Sequence, residues 1–230
     1  MKAVCTIASL NYLPQIRTFA HSFNKHNQNI NIFVLLVDDS STQDDYSSEP
    51  FNVILAKDLK IEDFLLIAFK FNIIELNTAL KPSFIKYLFH HKNVSKLLYF
   101  DPDIFVFAPL DPLFDELDRH PALLTPHTLS PGTTDAILPD TAFLRFGVFN
   151  LGFIGMRLTG EISQLLDWWE DRCLYFGNID VTEGIFVDQK WMNLLPCFSN
   201  DIRILRLPGC NMAYWNLHER KLSKSADGWL

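Results

Sequence analysis

Two aspartates, Asp101 and Asp103, stand one residue apart in KLLYFDPDIFVFAP, the stretch from Lys96 to Pro109. The apolar residues Leu97 to Phe100 lead into them, and an apolar run resumes at Ile104. Aspartates are costly to bury unless paired or bound to a cation. Two of them within three residues, with Pro102 stiffening the link, suit a hard divalent ion that takes oxygen ligands and shares them with phosphates. The plainer alternative is a strand-end turn, because Asp and Pro are common turn residues. Later in the chain Asn150 and Gly152 lie in the strand-like run Phe149 to Met156, where glycines mark close approach of a ligand or another backbone. Asp188 and Gln189 open a helix-like segment, Val187 to Leu195, in which the aspartate also suits an N-cap.

The elements that must position these residues alternate in type. Val4 to Ser9, Ile30 to Val37 and Phe51 to Leu55 are apolar runs that read as strands. Between the first two lies a segment with helical spacing (Leu13, Ile16, Phe19, Ala20, Phe23), and the second ends at Asp38-Asp39 before a polar loop, Ser40 to Pro50. Strand, helix, strand in this rhythm predicts a parallel sheet of crossover units, with ligands bound outside the carboxyl ends of its strands. Ile61 to Leu88 is mostly helical in pattern and restarts at Lys81-Pro82, where proline suits a first helical turn. Ala122 to Thr125 reads as a short strand leading to Pro126-His127, followed by a loop, Ser130 to Pro139. Ile162 to Phe176 is an amphipathic helix whose Trp168 and Trp169 read as core, and Ile202 to Leu207 and Met212 to Trp215 read as late strands. His127 and Asp140, in or near the central loop, read as loop residues rather than acceptor contacts. His90 and His91 diverge on a helix and have no carboxylate to complete a ligand set.

Composition narrows the functional classes. With 230 residues, 48% of them hydrophobic and 20% charged, the chain is long enough for one large folded domain. No linker divides it, so residues 1–230 read as a single domain, with a half to about residue 105 that looks like a nucleotide-binding α/β unit and a mixed half with irregular loops beyond. The net charge of -7 and the lack of a long basic cluster argue against a nucleic-acid partner. The first apolar run, about seven residues before Asn11, is too short for a secretory leader, and no run approaches the roughly 18 apolar residues of a membrane span. Cys5, Cys173, Cys197 and Cys210 form no C-x-x-C pair, which suits reduced thiols and a cytoplasmic protein.

Taken in order, TIASLNY, LKPSFIKYL, YFDPDIFVF, NLGFIGMR, FVDQKWMNLLP and NMAYWNLHER resemble bacterial nucleotide-sugar glycosyltransferases of the GT-A fold, distantly related to glycogenin and the lipopolysaccharide galactosyltransferases. The resemblance covers essentially the whole chain. It implies an α/β, GT-A-like nucleotide-diphospho-sugar transferase fold, a mainly parallel sheet flanked by helices. It implies transfer of a hexosyl group, with retention, from a nucleotide-diphosphate sugar, most naturally uridine-linked, to a saccharide or lipid-linked glycan. Asp101 and Asp103 would hold Mn²⁺ or Mg²⁺ against the donor's phosphates. Ala8 and Ser9 end the first strand where a base is read, and Asn11 and Tyr12 match a polar-Asn-Tyr pattern that lies against uracil. Asn11 also suits an N-cap. Asp38 is a base or ribose contact or a strand-end turn residue, and Lys81 matches a basic position near the diphosphate or is a solvated helix lysine. Asn150 and Gly152 match donor-sugar contacts, and Asp188 and Gln189 match the pair beneath the reacting carbon.

The pattern departs at the carboxyl end. The relatives carry a histidine segment there that supplies a further metal ligand. Lys221 to Leu230 contains none, and His218 is followed by Glu219. The expectation is a chain lacking that segment, or a third ligand drawn from water or elsewhere. Two rivals differ in class. A sugar-nucleotide nucleotidyltransferase would open with a glycine-rich loop that IASLNYLP lacks. A catalytically incomplete nucleotide-binding or assembly protein would bind a nucleotide without turnover.

Overall fold

The computed structural model describes residues 1–38, 46–132, 136–225 and 228–229. β1 (Lys2–Ala8) leads through a 3₁₀ turn, Leu10–Tyr12, into α1 (Leu13–His26), then β2 (Asn31–Leu36) and β3 (Asn52–Leu55). Three helices follow, α2 (Phe64–Lys70), α3 (Ile73–Ala79) and α4 (Lys81–His91), then β4 (Lys96–Phe100), α5 (Asp111–Arg119), β5 (Ala122–Pro126), α6 (Asp140–Phe146), β6 (Phe149–Arg157) and α7 (Gly160–Phe176). The remainder is short: β7 (Ile179–Asp180), β8 (Ile185–Phe186), a 3₁₀ segment Lys190–Leu194 running into α8 (Leu195–Phe198), β9 (Arg203–Ile204), a 3₁₀ turn Tyr214–Asn216, and the ribbon of β10 (Lys224–Ser225) and β11 (Gly228–Trp229).

The main sheet has seven strands in the order β3-β2-β1-β4-β6-β5-β9. The pairs β1–β2, β2–β3, β1–β4 and β5–β9 are parallel, whereas β6 runs antiparallel to β4 and β5. The expected mainly parallel sheet is present, and one reversed strand makes it mixed. Side chains alternate between its faces: Ala3, Cys5, Ile7, Leu97 and Tyr99 pack with α4 and α7, while Val4, Ala8, Leu98 and Phe100 pack with α1 and α5. Both faces are covered, which explains the continuous apolar runs in the central strands.

Several local expectations are corrected. The helical stretch over 61–88 is three helices, because Asn72 caps α3 by accepting from the backbone N–H of Ile74 and Glu75 while Glu75 bonds back to Asn72 N–H. The late strand expected at 202–207 shrinks to Arg203–Ile204, and 212–215 forms no strand. There Asn211 takes φ 57°, and the side chain of Asn216 accepts from Ala213 N–H, so the chain turns. The segment 187–195 is 3₁₀ before it becomes α8, and α5 and α6 were not anticipated. Asp39 and the start of the polar loop, and residues 133–135 of the central loop, lie outside the described residues. Of the two strand glycines, Gly155 is explained by packing alone, since an added Cβ would lie 3.0 Å from methyls of Leu98 and Leu123. As expected, Trp169 is fully buried and Trp168 is partly buried, packed edge-on against Trp191 and Phe198.

Candidate active site

The register of β4 and β6 builds the site. Phe100 pairs with Phe153, so the next residues meet across the strands and Asp101 N–H donates to Gly152 O at 2.9 Å. This places the first aspartate, Asn150 and Gly152 together at the carboxyl end of β4, beside the end of β1. An added Cβ on Gly152 would lie 2.7 Å from Asn150 Oδ1, 3.2 Å from Asp101 Oδ2 and 3.5 Å from Asn211 Oδ1. Three side-chain oxygens therefore surround a space that only glycine leaves open.

Beneath this space lies a buried ion pair. Lys81, at the first position of α4, is 1% exposed and points under β4. Its Nζ lies 2.5 Å from Asp188 Oδ2, donates to Leu151 O at 2.9 Å, sits 4.0 Å from Asp101 Oδ1 and lies 4.2 Å from the centre of the Tyr99 ring. The reading of Lys81 as a solvated helix lysine is thus overturned. Burial opposes its charge, but Asp188 and Asp101 together hold its pKa above the ordinary lysine value. Burial lifts the Asp188 carboxyl above its usual range against the pull of Lys81, while the lysine's own raised pKa favours the proton on its Nζ. Asp188 is not an N-cap either: Gln189 occupies that position of the 3₁₀ segment and makes no capping bond. Trp169 Nε1 donates to Asp188 O at 3.1 Å, and Val187, a β-branched residue, is held at φ 43° just before it. Such a backbone costs on the order of 1–3 kcal/mol and persists only where its surroundings over-determine it.

Gln189 is fixed at both ends of its amide. Oε1 accepts from Leu151 N–H at 3.1 Å and Nε2 donates to Phe146 O at 3.1 Å. Asn150 is fixed as well: its Oδ1 accepts from Gly152 N–H (2.9 Å) and Asn211 Nδ2 (2.6 Å), and its Nδ2 contacts His127 Nε2 at 3.2 Å. His127 is buried, stacked on Phe143 and edge-on to Trp215. Burial lowers its pKa to about 4, against the opposing carbonyls of Val148 and Gly147, although neither makes a good hydrogen bond to Nδ1. The expectation of a plain loop histidine is corrected, since the ring braces Asn150. Asn211 and His127 escaped the sequence reading as braces because their partners are 61 and 23 residues away from them.

At the end of β1, Ser9 Oγ accepts from Asn77 Nδ2 at 3.2 Å, Ala8 O accepts from Val37 N–H, and Asp38 Oδ1 accepts from Leu10 N–H at 2.8 Å. Asp38 therefore ties the turn after β1 to the end of β2. Asn11 and Tyr12 lie exposed in that turn, and Tyr12 rather than Asn11 occupies the N-cap position of α1, without a side-chain cap.

Asp101 and Asp103 share one locale. Tyr99 Oη donates to Asp101 Oδ1 at 2.7 Å, and partial burial followed by the charge of Asp101 raises the Asp103 pKa. Two carboxylates that repel each other at the mouth of a sheet fit a divalent cation completed by water and substrate phosphates. Among the described residues no group of three or more His, Cys, Asp or Glu side chains gathers around a common point, and His218 does not join the pair.

No protein-family model matches the chain. It is 23% identical over 224 residues to the uncharacterized protein YfnF of Bacillus subtilis (strain 168), covering 96% of this chain and 74% of that protein. It is 24% identical over 224 residues to YfnD of the same strain, likewise uncharacterized, covering 95% and 70%. Among solved structures, galactosyltransferase LgtC in complex with donor and acceptor sugar analogs superposes with a TM-score of 0.53 at 18% identity, over 89% of this chain and 73% of LgtC. The apo form of the glycosyltransferase GlyE of Streptococcus pneumoniae TIGR4 gives 0.52 at 20% identity, over 89% of this chain. The chain spans only 45% of the length of GlyE. These superpositions show that the chain has the fold of the GT-A-type glycosyltransferases, which it distantly resembles.

Proposed function

We propose that this protein transfers a hexosyl group from a nucleotide-diphosphate sugar, with uridine as the base, to a saccharide or lipid-linked glycan. The observation that carries the reading is the buried Lys81–Asp188 pair set directly under Asp101 and Gly152 at the carboxyl ends of the central strands. A buried pair stabilises a core poorly, and buried ionisable groups with shifted pKa values cluster at functional sites. In this reading Tyr12 offers its exposed ring to the base, and the turn tied by Asp38 holds that ring at the end of β1. Gly152 admits the sugar, Asn150 and Gln189 keep their amides in one orientation, and Asp188 lies ionised beneath. Lys81 is fully engaged within the protein, so its part is to hold Asp188 rather than to reach the diphosphate.

Asp101 and Asp103 are the residues that would hold Mn²⁺ or Mg²⁺. The chemistry such an ion supplies when bound is neutralisation of the charge gathering on the departing diphosphate. Retention of anomeric configuration is supported by the pair placed beneath the sugar in this reading: Asp188 is pinned by Lys81, and the Gln189 amide is not a proton acceptor. The test is a donor-hydrolysis and transfer assay with UDP-sugars and Mn²⁺, with proton NMR of the product. Metal-dependent UDP release lost in Asp103→Asn, with a retained anomer, is expected. Tight UDP binding without turnover would assign the chain to the nucleotide-binding or assembly class instead, and an inverted product would remove the retaining mechanism.

A further inference from the structure

The hydrogen bonds around Asn150 have a direction that fixes every polar atom in the group. Gly152 N–H can only donate, so the side-chain atom of Asn150 that it meets at 2.9 Å is the oxygen. Asn150 Nδ2 then faces His127 Nε2, which must accept, and the imidazole is neutral with its proton on Nδ1. Asn211 Nδ2 must in turn donate, to Asn150 Oδ1 at 2.6 Å and to Thr125 Oγ1 at 3.1 Å. Asn211 Oδ1 is thereby turned toward the space above Gly152, 3.5 Å from where a Cβ would stand. Its backbone is secured separately, since Asn216 Nδ2 donates to both Asn211 O and His127 O.

Of the three oxygens around that space, Asn150 Oδ1 already accepts two N–H groups, and Asp101 belongs to the proposed cation pair. Asn211 Oδ1 is accepting from no donor of the described residues. We propose that Asn211 is a specificity-determining residue whose Oδ1 accepts a hydroxyl of the sugar being transferred, and that His127 is a positioning residue that sets this geometry through Asn150. Asn211 is half-buried, and a sugar seated over Gly152 would take its Oδ1 from water, so a ligand lacking the matching hydroxyl would leave that acceptor unpaired and bind more weakly. The inference rests on the reading of the site as a nucleotide-sugar site and adds to it two residues and the kind of group they recognise.

The experiment is calorimetry with Mn²⁺, comparing UDP alone with UDP-glucose, UDP-galactose and UDP-N-acetylglucosamine. Wild type, Asn211→Gly and His127→Phe are compared. Glycine tolerates the φ of 57° at position 211, and phenylalanine keeps the stacking on Phe143, so both variants are compatible with the fold. Wild type is expected to bind one or more UDP-sugars more tightly than UDP. Both variants should lose about fivefold to tenfold of that sugar-dependent increment while their affinity for UDP stays within about twofold of wild type. A purely structural role would weaken UDP and UDP-sugar alike and lower the melting temperature without separating them. If the variants keep the full increment, or lose affinity for UDP equally, the inference is overturned and the glycosyltransferase reading stands. If wild type shows no preference for any of the sugars over UDP, the inference is overturned, and turnover in the transfer assay decides the glycosyltransferase reading separately.

Discussion

Lys81 and Asp188 are nearly sealed from solvent, each with a side chain 2% exposed, and each is the other's compensation. Removing one partner of such a pair is far more costly than removing both. Lys81→Met should therefore destabilise the protein by about 3–5 kcal/mol, whereas Lys81→Met with Asp188→Leu should recover most of that loss without recovering activity. Urea midpoints of the three proteins decide it, and equal midpoints for the single and double variants would deny the coupling. His127 gives a pH signature at the same scale. Its folded value of about 4 lies below the ordinary histidine value, so the unfolded chain takes up a proton that the folded protein refuses. Stability should thus be fully present above about pH 6.5 and fall toward pH 4, with this group contributing up to about 3 kcal/mol of the change. In His127→Phe that slope should flatten, and an unchanged slope between pH 6.5 and 4 would show that other groups cause it.

At the scale of elements, the irregular carboxyl-terminal third joins the main sheet only through the two residues of β9 among the described residues, and a side-chain latch supplements that pairing. Glu219 accepts from the backbone N–H of Leu129 and Ser130 and from Ser130 Oγ, and Arg220 beside it donates to the carbonyls of Pro208 and Cys210. These two residues tie the loop after His127 to the turn before Asn211, so the latch supports both residues of the proposed sugar-recognition network. Burial works against the Glu219 charge, but the Ser130 hydroxyl, the two backbone donors and Arg220 together lower its pKa below the usual value. Its stabilisation is accordingly present above the ordinary glutamate range and lost as pH falls through the lowered value. Glu219→Gln should cost about 1–3 kcal/mol at neutral pH, and the difference from wild type should shrink below about pH 4. Thermal melts of both proteins across that range measure it.

For the whole molecule, the carboxylates at the sheet mouth are a source of repulsion in the free protein that a cation and a diphosphate would relieve. Asp103→Asn should leave the ligand-free protein unchanged or slightly more stable, since it removes a like charge beside Asp101. Wild type should gain about 2–3 kcal/mol from Mn²⁺ with UDP at a hundredfold excess over the dissociation constant, and the variant should lose most of that gain. Four melting curves, each protein with and without Mn²⁺ and UDP, test this. Equal shifts in both proteins would refute the cation site. Where the product would be made is a separate matter: no helix among the described residues is long and apolar enough to cross a membrane.

By itself the sequence determined the parts of this protein that depend on local periodicity. Continuous apolar runs marked β1, β2 and β4 because strands covered on both faces need no alternation, and the ordered motifs around Asp101, Asn150 and Asp188 pointed to the fold. Only the tertiary structure decided what the polar residues of the site do. Lys81 and Asp188 are separated by more than a hundred residues, and nothing local distinguishes a helix-start lysine in solvent from one buried under a strand. Asn211 and His127 gain their meaning from the antiparallel return of β6 and from a turn held by side chains, where hydrogen bonds rather than a hydrophobic period set the conformation. A period is written into neighbouring residues, whereas a network of donors and acceptors exists only once distant segments have met.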